Sequence, residues 1–227
     1  MICHQRKIKD EKRGKGWSPS DNRLDRAVVM EIPFRMARSF ILQYEYLGTM
    51  PSGFRTAYGL FWDHTLGCCC VFGSPNPMQI AKSMFGGKHM DSIMQIHRGA
   101  STWWAHEHSA SFLIGESLRR LKAKGWKAVV AFADPQAGEI GTVYQATNWL
   151  CCGLTTKRPD YLDSGGRRQV GVFRVTQDMT RTVRPRKWRY VYILDKRVRK
   201  DMRWIPVPYP KRNEPLPEEM PKEMEGA

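Results

Sequence analysis

Several common signatures are missing from this chain, and each absence narrows the reading. Its 227 residues contain no apolar run near the roughly 20 residues a membrane-spanning helix needs; the longest is Val129 to Ala133. No charged-then-apolar leader opens the sequence, so no secretion signal is expected. The six cysteines fall as Cys3, Cys68–Cys69–Cys70 and Cys151–Cys152. Without a CxxC pair a zinc ribbon is not expected. They read as small apolar fillers in a reducing cytoplasm, with Cys69 on one face of a strand and Cys68 and Cys70 on the other. Acidic residues are scarce, 22 Asp and Glu against 37 Lys and Arg, for a net charge of +15. Such an excess favours polyanionic partners and speeds encounter with them.

The positive charge is concentrated. Lys157 to Arg212 carries 17 Lys and Arg against 5 Asp and Glu, interleaved with Tyr161, Phe173, Trp188, Tyr190, Tyr192, Trp204 and Tyr209. Cations for phosphates and rings for bases are what a nucleic-acid surface requires. The bland alternative is a solvated basic flank whose rings belong to the core. The length suits one good core and is short for two.

Four regions are expected. Residues 1–27 read as a flexible basic arm and 28–156 as the main folded core. Residues 157–212 read as a basic region packed on the core and contacting DNA, and 213–227, with three prolines and five glutamates, as a disordered tail. Within the core, Pro33 opens a helix through Ala37, Phe40, Ile41 and Tyr44 that stops at Gly48. Thr56–Trp62 and Leu66–Phe72 form a β-hairpin. Gly73 to Pro77 break the strand before a short helix, Met78–Phe85. Ser92–Arg98 is a strand, Gly99–Glu107 is irregular, and His108–Lys124 is a strong amphipathic helix ended by Gly125. Trp126–Ala133 is a buried strand ending at Asp134–Pro135. Gly141–Asn148 is a helix, and Trp149–Leu154 and Trp188–Leu194 are strands. The alternation of helices and strands makes the class α/β.

The block Val130–Gly153, VAFADPQAGEIGTVYQATNWLCCG, resembles the second half of a GCN5-related N-acetyltransferase (GNAT) domain, and more specifically the phage Mom proteins. Further stretches carry the same resemblance: YLGTMP at Tyr46–Pro51, Tyr58–Phe61, Ile96–Arg98, HSASF at His108–Phe112, Arg189–Leu194 and PYPK at Pro208–Lys211. Together they span about residues 30–211. The resemblance implies a GNAT-like mixed sheet flanked by helices, with a basic C-terminal extension. It implies an enzyme of the infected bacterial cytoplasm that converts adenine in double-stranded DNA to an N6-carbamoylmethyl derivative, protecting the DNA from restriction enzymes. Acetyl-CoA or another acyl-CoA is the implied carbon donor, and a bound iron is proposed for the family. Two other readings stay open: an N-acetyltransferase for a small amine or protein, and a non-enzymatic DNA-binding anti-restriction protein.

Four residues are catalytic candidates. Asp134 ends a central strand, where ligands collect in open α/β sheets, and a carboxylate there could accept a hydrogen from the poorly nucleophilic adenine amine; alternatively it caps the turn before Pro135. Tyr144 matches a tyrosine that many GNAT enzymes place beside the CoA sulfur, although packing would explain it equally well. Tyr46 is placed to stack on an extruded base. Glu45 stands where the resembled family tends to carry His, keeping an acceptor but losing a neutral donor. Tyr58 is a weaker candidate and reads as core.

Ser109 and Ser111, at the start of the long helix, and Arg98 are candidates for cofactor phosphates; a plain Ser N-cap is the alternative. The usual glycine-rich pyrophosphate loop is absent, since Gly99 is followed by Ala100–Ser101–Thr102–Trp103–Trp104. His97, His106 and His108 are weak candidates for a metal. Arg167, Arg168, Arg184, Arg186, Lys187 and Arg189 are expected to grip DNA phosphates, with Trp103 and Trp104 stacking on the flipped adenine.

Overall fold

The computed structural model describes residues 3–75, 78–165 and 179–217, together with the backbone of Arg168 and Gln169. Asn76, Pro77, Arg167, Phe173 and the tail beyond residue 217 therefore lie outside the described residues, and of Arg168 only the backbone is described.

Seven strands form one mixed sheet: β1 (Val28–Ile32), β2 (Phe54–Trp62), β3 (Thr65–Gly73), β4 (Ile93–Ser101), β5 (Ala128–Ala133), β6 (Leu150–Leu154) and β10 (Trp188–Ile193). They lie in the order β1-β2-β3-β4-β5-β10-β6. The parallel pair is β4 with β5; the other neighbours run antiparallel. A small second sheet orders β7 (Pro159–Leu162), β8 (Arg168–Gln169) and β9 (Thr180–Val183) as β8-β7-β9. This is the mixed α/β class that the alternation of elements implies. Because β10 sits between β5 and β6, the core cannot end at residue 156; the region beyond it supplies a central strand.

Period-2 alternation sorts the side chains onto two faces. Cys68 and Cys70 join Val129, Ala131 and Ala133 in one cluster, whereas Cys69 points into another beneath the opposite face. α4 (Ser109–Ala123) covers the first face with Leu113, Ile114, Ser117, Leu118 and Leu121, a single helical stripe. α2 (Phe34–Tyr44) covers β1–β4 on the other side through Ala37, Phe40 and Ile41. α3 (Gln79–Phe85) packs over β5 and β10 on that same side.

One irregularity shapes the site. Val71 pairs with Arg98 and Phe72 with Ile96, so His97 is an extra residue bulged out of the β3–β4 ladder. Beyond the three paired positions Ile93–Gln95, β4 has no registered pairing with β5. β4 nevertheless continues through Gly99–Ser101, where an irregular stretch is expected from the sequence. The central strands therefore part towards their carboxyl ends.

The N-terminal segment corrects the expectation of a flexible arm. Residues His4–Glu11 form α1, and the stretch that follows is tied down at several points. Trp103 Nε1 donates to the Lys15 carbonyl at 3.0 Å, Asn22 Nδ2 to the Trp104 carbonyl at 2.7 Å and Trp62 Nε1 to the Arg23 carbonyl at 2.9 Å. Trp17 meets Trp104 edge to face. Basic composition suggested solvent, but interleaved apolar rings and backbone acceptors bind the segment to the core.

Candidate active site

A cavity of about 960 Å³ occupies the parting of β4 and β5. Its walls include Ile96–Ser101 from β4, Phe132–Asp134 at the end of β5, the loop Gly138–Tyr144, Glu45–Leu47 after α2, and Cys3, Gln5, Arg6 and Lys9 from the N-terminal segment. A volume of this size suits a large ligand or two smaller ones.

Asp134 stands at the floor because Pro135 ends the strand. Its Oδ1 accepts from the Gln136 amide at 3.0 Å, capping the turn Pro135–Ala137, so the capping role is real. Its other oxygen meets Lys187 Nζ at 3.1 Å. That pairing follows from register: Trp188 lies opposite Ala133 in the β5–β10 ladder, which brings Lys187 next to Asp134.

Glu139, within the Val130–Gly153 block, is a site residue that no local sequence pattern marks. Its amide donates to the Asp134 carbonyl at 3.0 Å, folding the loop so that its carboxyl enters the cavity. Burial, reinforced by the charges of Glu45 and Asp134, pushes the Glu139 carboxyl up to about 7. Glu45, at the end of α2, is itself buried, and burial raises its carboxyl. Its Oε2 accepts from the Leu47 amide at 2.9 Å and lies 3.8 Å from Arg98 Nε. Arg98 also donates to the Thr49 carbonyl and hydroxyl, fixing the loop that carries Tyr46.

Two phenols complete the site. Tyr144, on the short helix α5 (Thr142–Gln145), packs its ring between Trp149 and Tyr190, with centroids 5.1 and 5.2 Å away. Tyr46 meets the His4 ring edge to face at 5.6 Å. Burial, with nearby carboxylates, raises both phenols well above their usual range, so both keep their proton at neutral pH. Asp134 and Tyr144 thus share one cavity. Gly141 sets the approach to α5: its φ is +75°, and a methyl there would overlap the Tyr190 ring. Replacing Gly141 with Ala is expected to destabilise the protein by about 1–3 kcal/mol, read as a lower urea midpoint with unchanged slope.

Other expected site residues fall elsewhere. Ser109 is buried with its hydroxyl 3.5 Å from that of Ser101, and Ser111 donates to the His108 carbonyl; neither lines the cavity. Residue His108, rather than a serine, occupies the helix N-cap position. Trp104 is a core ring between Trp17 and Trp62, and Trp103 is bonded to Lys15, so neither lines the cavity. Tyr58 is fully buried core. His97 is buried, its ring nitrogen 2.9 Å from the Ser74 carbonyl, and burial lowers its pKa. Among the described residues no three His, Cys, Asp or Glu side chains are grouped to hold a metal. The His106 and His108 rings lie 5.4 Å apart, and the His97 ring is held by the Ser74 carbonyl, so these three histidines do not form a ligand set for iron.

The basic cluster is partly internal. Arg189 is buried, stacks on Trp204 at 4.5 Å and donates to the Cys152 carbonyl. Arg186 donates to the Thr155 and Pro217 carbonyls, and Arg184 meets Asp160 at 3.4 Å. These side chains brace the wall formed by β6, β7 and β10.

The pattern of the Mom protein family matches residues 26–211. The chain belongs to the Mom protein family. Membership of this family supports a role in phage DNA modification and implies a DNA substrate. No curated protein matches it. Solved structures similar to it include a probable acetyltransferase from Staphylococcus epidermidis, 8% identical over 74% of this chain and 98% of that one, TM-score 0.45. The ribosomal-protein-S18-alanine N-acetyltransferase of Escherichia coli is 6% identical over 74% and 94%, TM-score 0.44. A polyamine N-acetyltransferase of Drosophila melanogaster is 12% identical over 74% and 99%, TM-score 0.44. Among the described residues, no helix is long and apolar enough to cross a membrane.

Proposed function

We propose that this Mom family member converts adenine in double-stranded DNA to an N6-carbamoylmethyl derivative, holding an extruded adenine against an acyl-CoA in the β4–β5 cavity. The observation that carries this reading is the meeting of two carboxyls, Asp134 and Glu139, with two protonated phenols, Tyr46 and Tyr144, in one cavity. Extrusion costs a few kcal/mol, which a stacking ring and hydrogen-bonding groups can offset. Tyr46 is the ring available for stacking.

Adenine N6 is a weak nucleophile because its lone pair is delocalised into the ring. A carboxylate poised near neutrality can take a proton from it as the new bond forms. Glu139 has that poise, and Asp134, oriented by Lys187 and the Gln136 amide, accepts the second N6 hydrogen and fixes the base. Tyr144 holds its proton at the phenolic oxygen for a departing group. An acyl-CoA, when bound, would supply carbon for the group; N6 attack on its thioester carbonyl breaks the carbon–sulfur bond and gives an N6-acyl amide, so the N6–CH2 bond and amide nitrogen of a carbamoylmethyl group require a further, nitrogen-containing donor. The fit of such a group is supported by the unpaired edge of β4 beyond Gln95, where Ile96–Ser101 line the cavity.

DNA from cells expressing the chain, stripped of all protein, is expected to resist restriction enzymes whose sites contain the modified adenine. Full cleavage of stripped DNA, with protection only while protein is bound, would favour a non-enzymatic blocking protein. Acetyl transfer to a small amine without DNA would favour an ordinary N-acetyltransferase.

A further inference from the structure

The cavity is not built by the family-matched residues alone. The match begins at residue 26, yet Cys3, Gln5, Arg6 and Lys9 line the cavity. α1 is fixed at its start by a reciprocal pair. Gln5 Nε2 donates to the Tyr44 carbonyl at 2.7 Å, and its Oε1 accepts from the Tyr46 amide at 3.3 Å. Cys3 Sγ lies 3.9 Å from Glu139 Oε1, so this end adjoins the carboxyls. Lys15, Trp17, Asn22 and Arg23 anchor the far side through the contacts already described. The segment is therefore a strap, fastened on both sides of α1.

Six residues of helical rise carry the strap about 9 Å from Cys3 to Lys9. Lys9 and Cys68 both line the cavity, and the Cys68 sulfur accepts from the Ser101 hydroxyl at the carboxyl end of β4. Burial lowers the Lys9 pKa, and among the described residues its ammonium has no ion-pair or hydrogen-bond partner. Glu107, the carboxylate on that wall, is mostly exposed and lies 3.7 Å from His108. The nearby carboxylate that acts on this half-buried ammonium, Asp10, is itself paired with Arg13 and makes no direct contact with Lys9, and an anion in the cavity beside Lys9 would relieve the cost of burial. The sequence lacks a glycine-rich loop after β4, so backbone amides there do not follow the usual pattern for a phosphate.

We propose that residues 3–23 form a strap whose Arg6 and Lys9 bind the phosphate-bearing end of the donor, replacing the missing glycine-rich loop. This rests on the acyl-CoA reading of the cavity. The cavity is then polar in two senses: carboxyls at the β5 end for an amine, cations at the β4 end for phosphates.

Calorimetric titration of the full chain with coenzyme A, and separately with inorganic pyrophosphate, tests it. The doubly substituted Arg6→Ala/Lys9→Ala protein is expected to bind coenzyme A about tenfold or more weakly, the loss expected for a charge-assisted contact. Lys9→Arg should recover most of the affinity. Lys7→Ala, an exposed α1 position outside the cavity, should bind as the unaltered chain does. If the unaltered chain ignores coenzyme A but binds pyrophosphate through Arg6 and Lys9, the strap stands and the acyl-CoA reading falls. Equal affinities in all variants, or binding of neither probe by the unaltered chain, overturns the strap. A thermal melt of each variant separates lost binding from lost folding.

Discussion

Replacing Asp134 with Ala is expected to lower the fraction of modified adenine in cellular DNA by about 10²- to 10⁴-fold, the range for a positioned proton acceptor. The loss combines two effects. The substituted chain has no acceptor at the β5 end, and Lys187, which lies 3.1 Å from the carboxylate, is left unpaired beside the site. An unpaired ammonium would repel the hydrogen-rich face of the adenine amine. Folding should survive, because the cap lost from the Pro135–Ala137 turn costs only about 1 kcal/mol. Asp134→Asn separates the two roles: it keeps the cap but not the charge, and should be nearly as inactive as Ala. Normal adduct levels in both variants would remove Asp134 from the reaction.

Glu139→Gln should produce a comparable loss of activity together with a gain in stability, a combination that a merely structural residue does not give. Below the ordinary carboxyl pKa of 4.5 the group is protonated whether folded or not. Between 4.5 and about 7 the folded chain keeps a proton that the unfolded chain releases. Stability from this group is thus fully present below about 4.5 and is lost as pH rises through about 7. Since a displaced pKa is worth about 1.4 kcal/mol per pH unit, Gln should stabilise the protein at pH 8 by on the order of 1–3 kcal/mol. At pH 4 the two proteins should melt alike. The unaltered enzyme should gain activity with pH through about 7, as its base ionises, and Glu139→Gln should leave no such rise. A Gln variant that is both active and no more stable at pH 8 contradicts the assignment.

The sequence was legible where one rule acted alone. Period 2 placed Cys69 against Cys68 and Cys70, and period 3.6 found α4 within a residue at each end. β1 was missed because its exposed Val28 and Met30 on an edge strand blur the alternation, and its partner residues Ala57–Phe61 are distant in sequence. Asp134 was readable from the strand end and Pro135. Glu139 was not, because its elevated pKa arises from burial and from Glu45, nearly a hundred residues earlier. Charge misled in both terminal regions. Basic composition suggested a free arm and an outer grip, whereas Lys9, Lys187 and Arg189 turn inward. Trp103 and Trp104 read equally as stacking rings in an irregular stretch or, for one of them, as a buried ring; the N-terminal segment covers both.

The most direct test of the whole account is mass spectrometry of nucleosides from protein-free DNA of cells making the unaltered chain. An adenine nucleoside carrying a carbamoylmethyl group on N6, absent from cells making Glu139→Gln, is the predicted result. Unmodified adenine throughout, in cells where the folded chain is abundant, would contradict it.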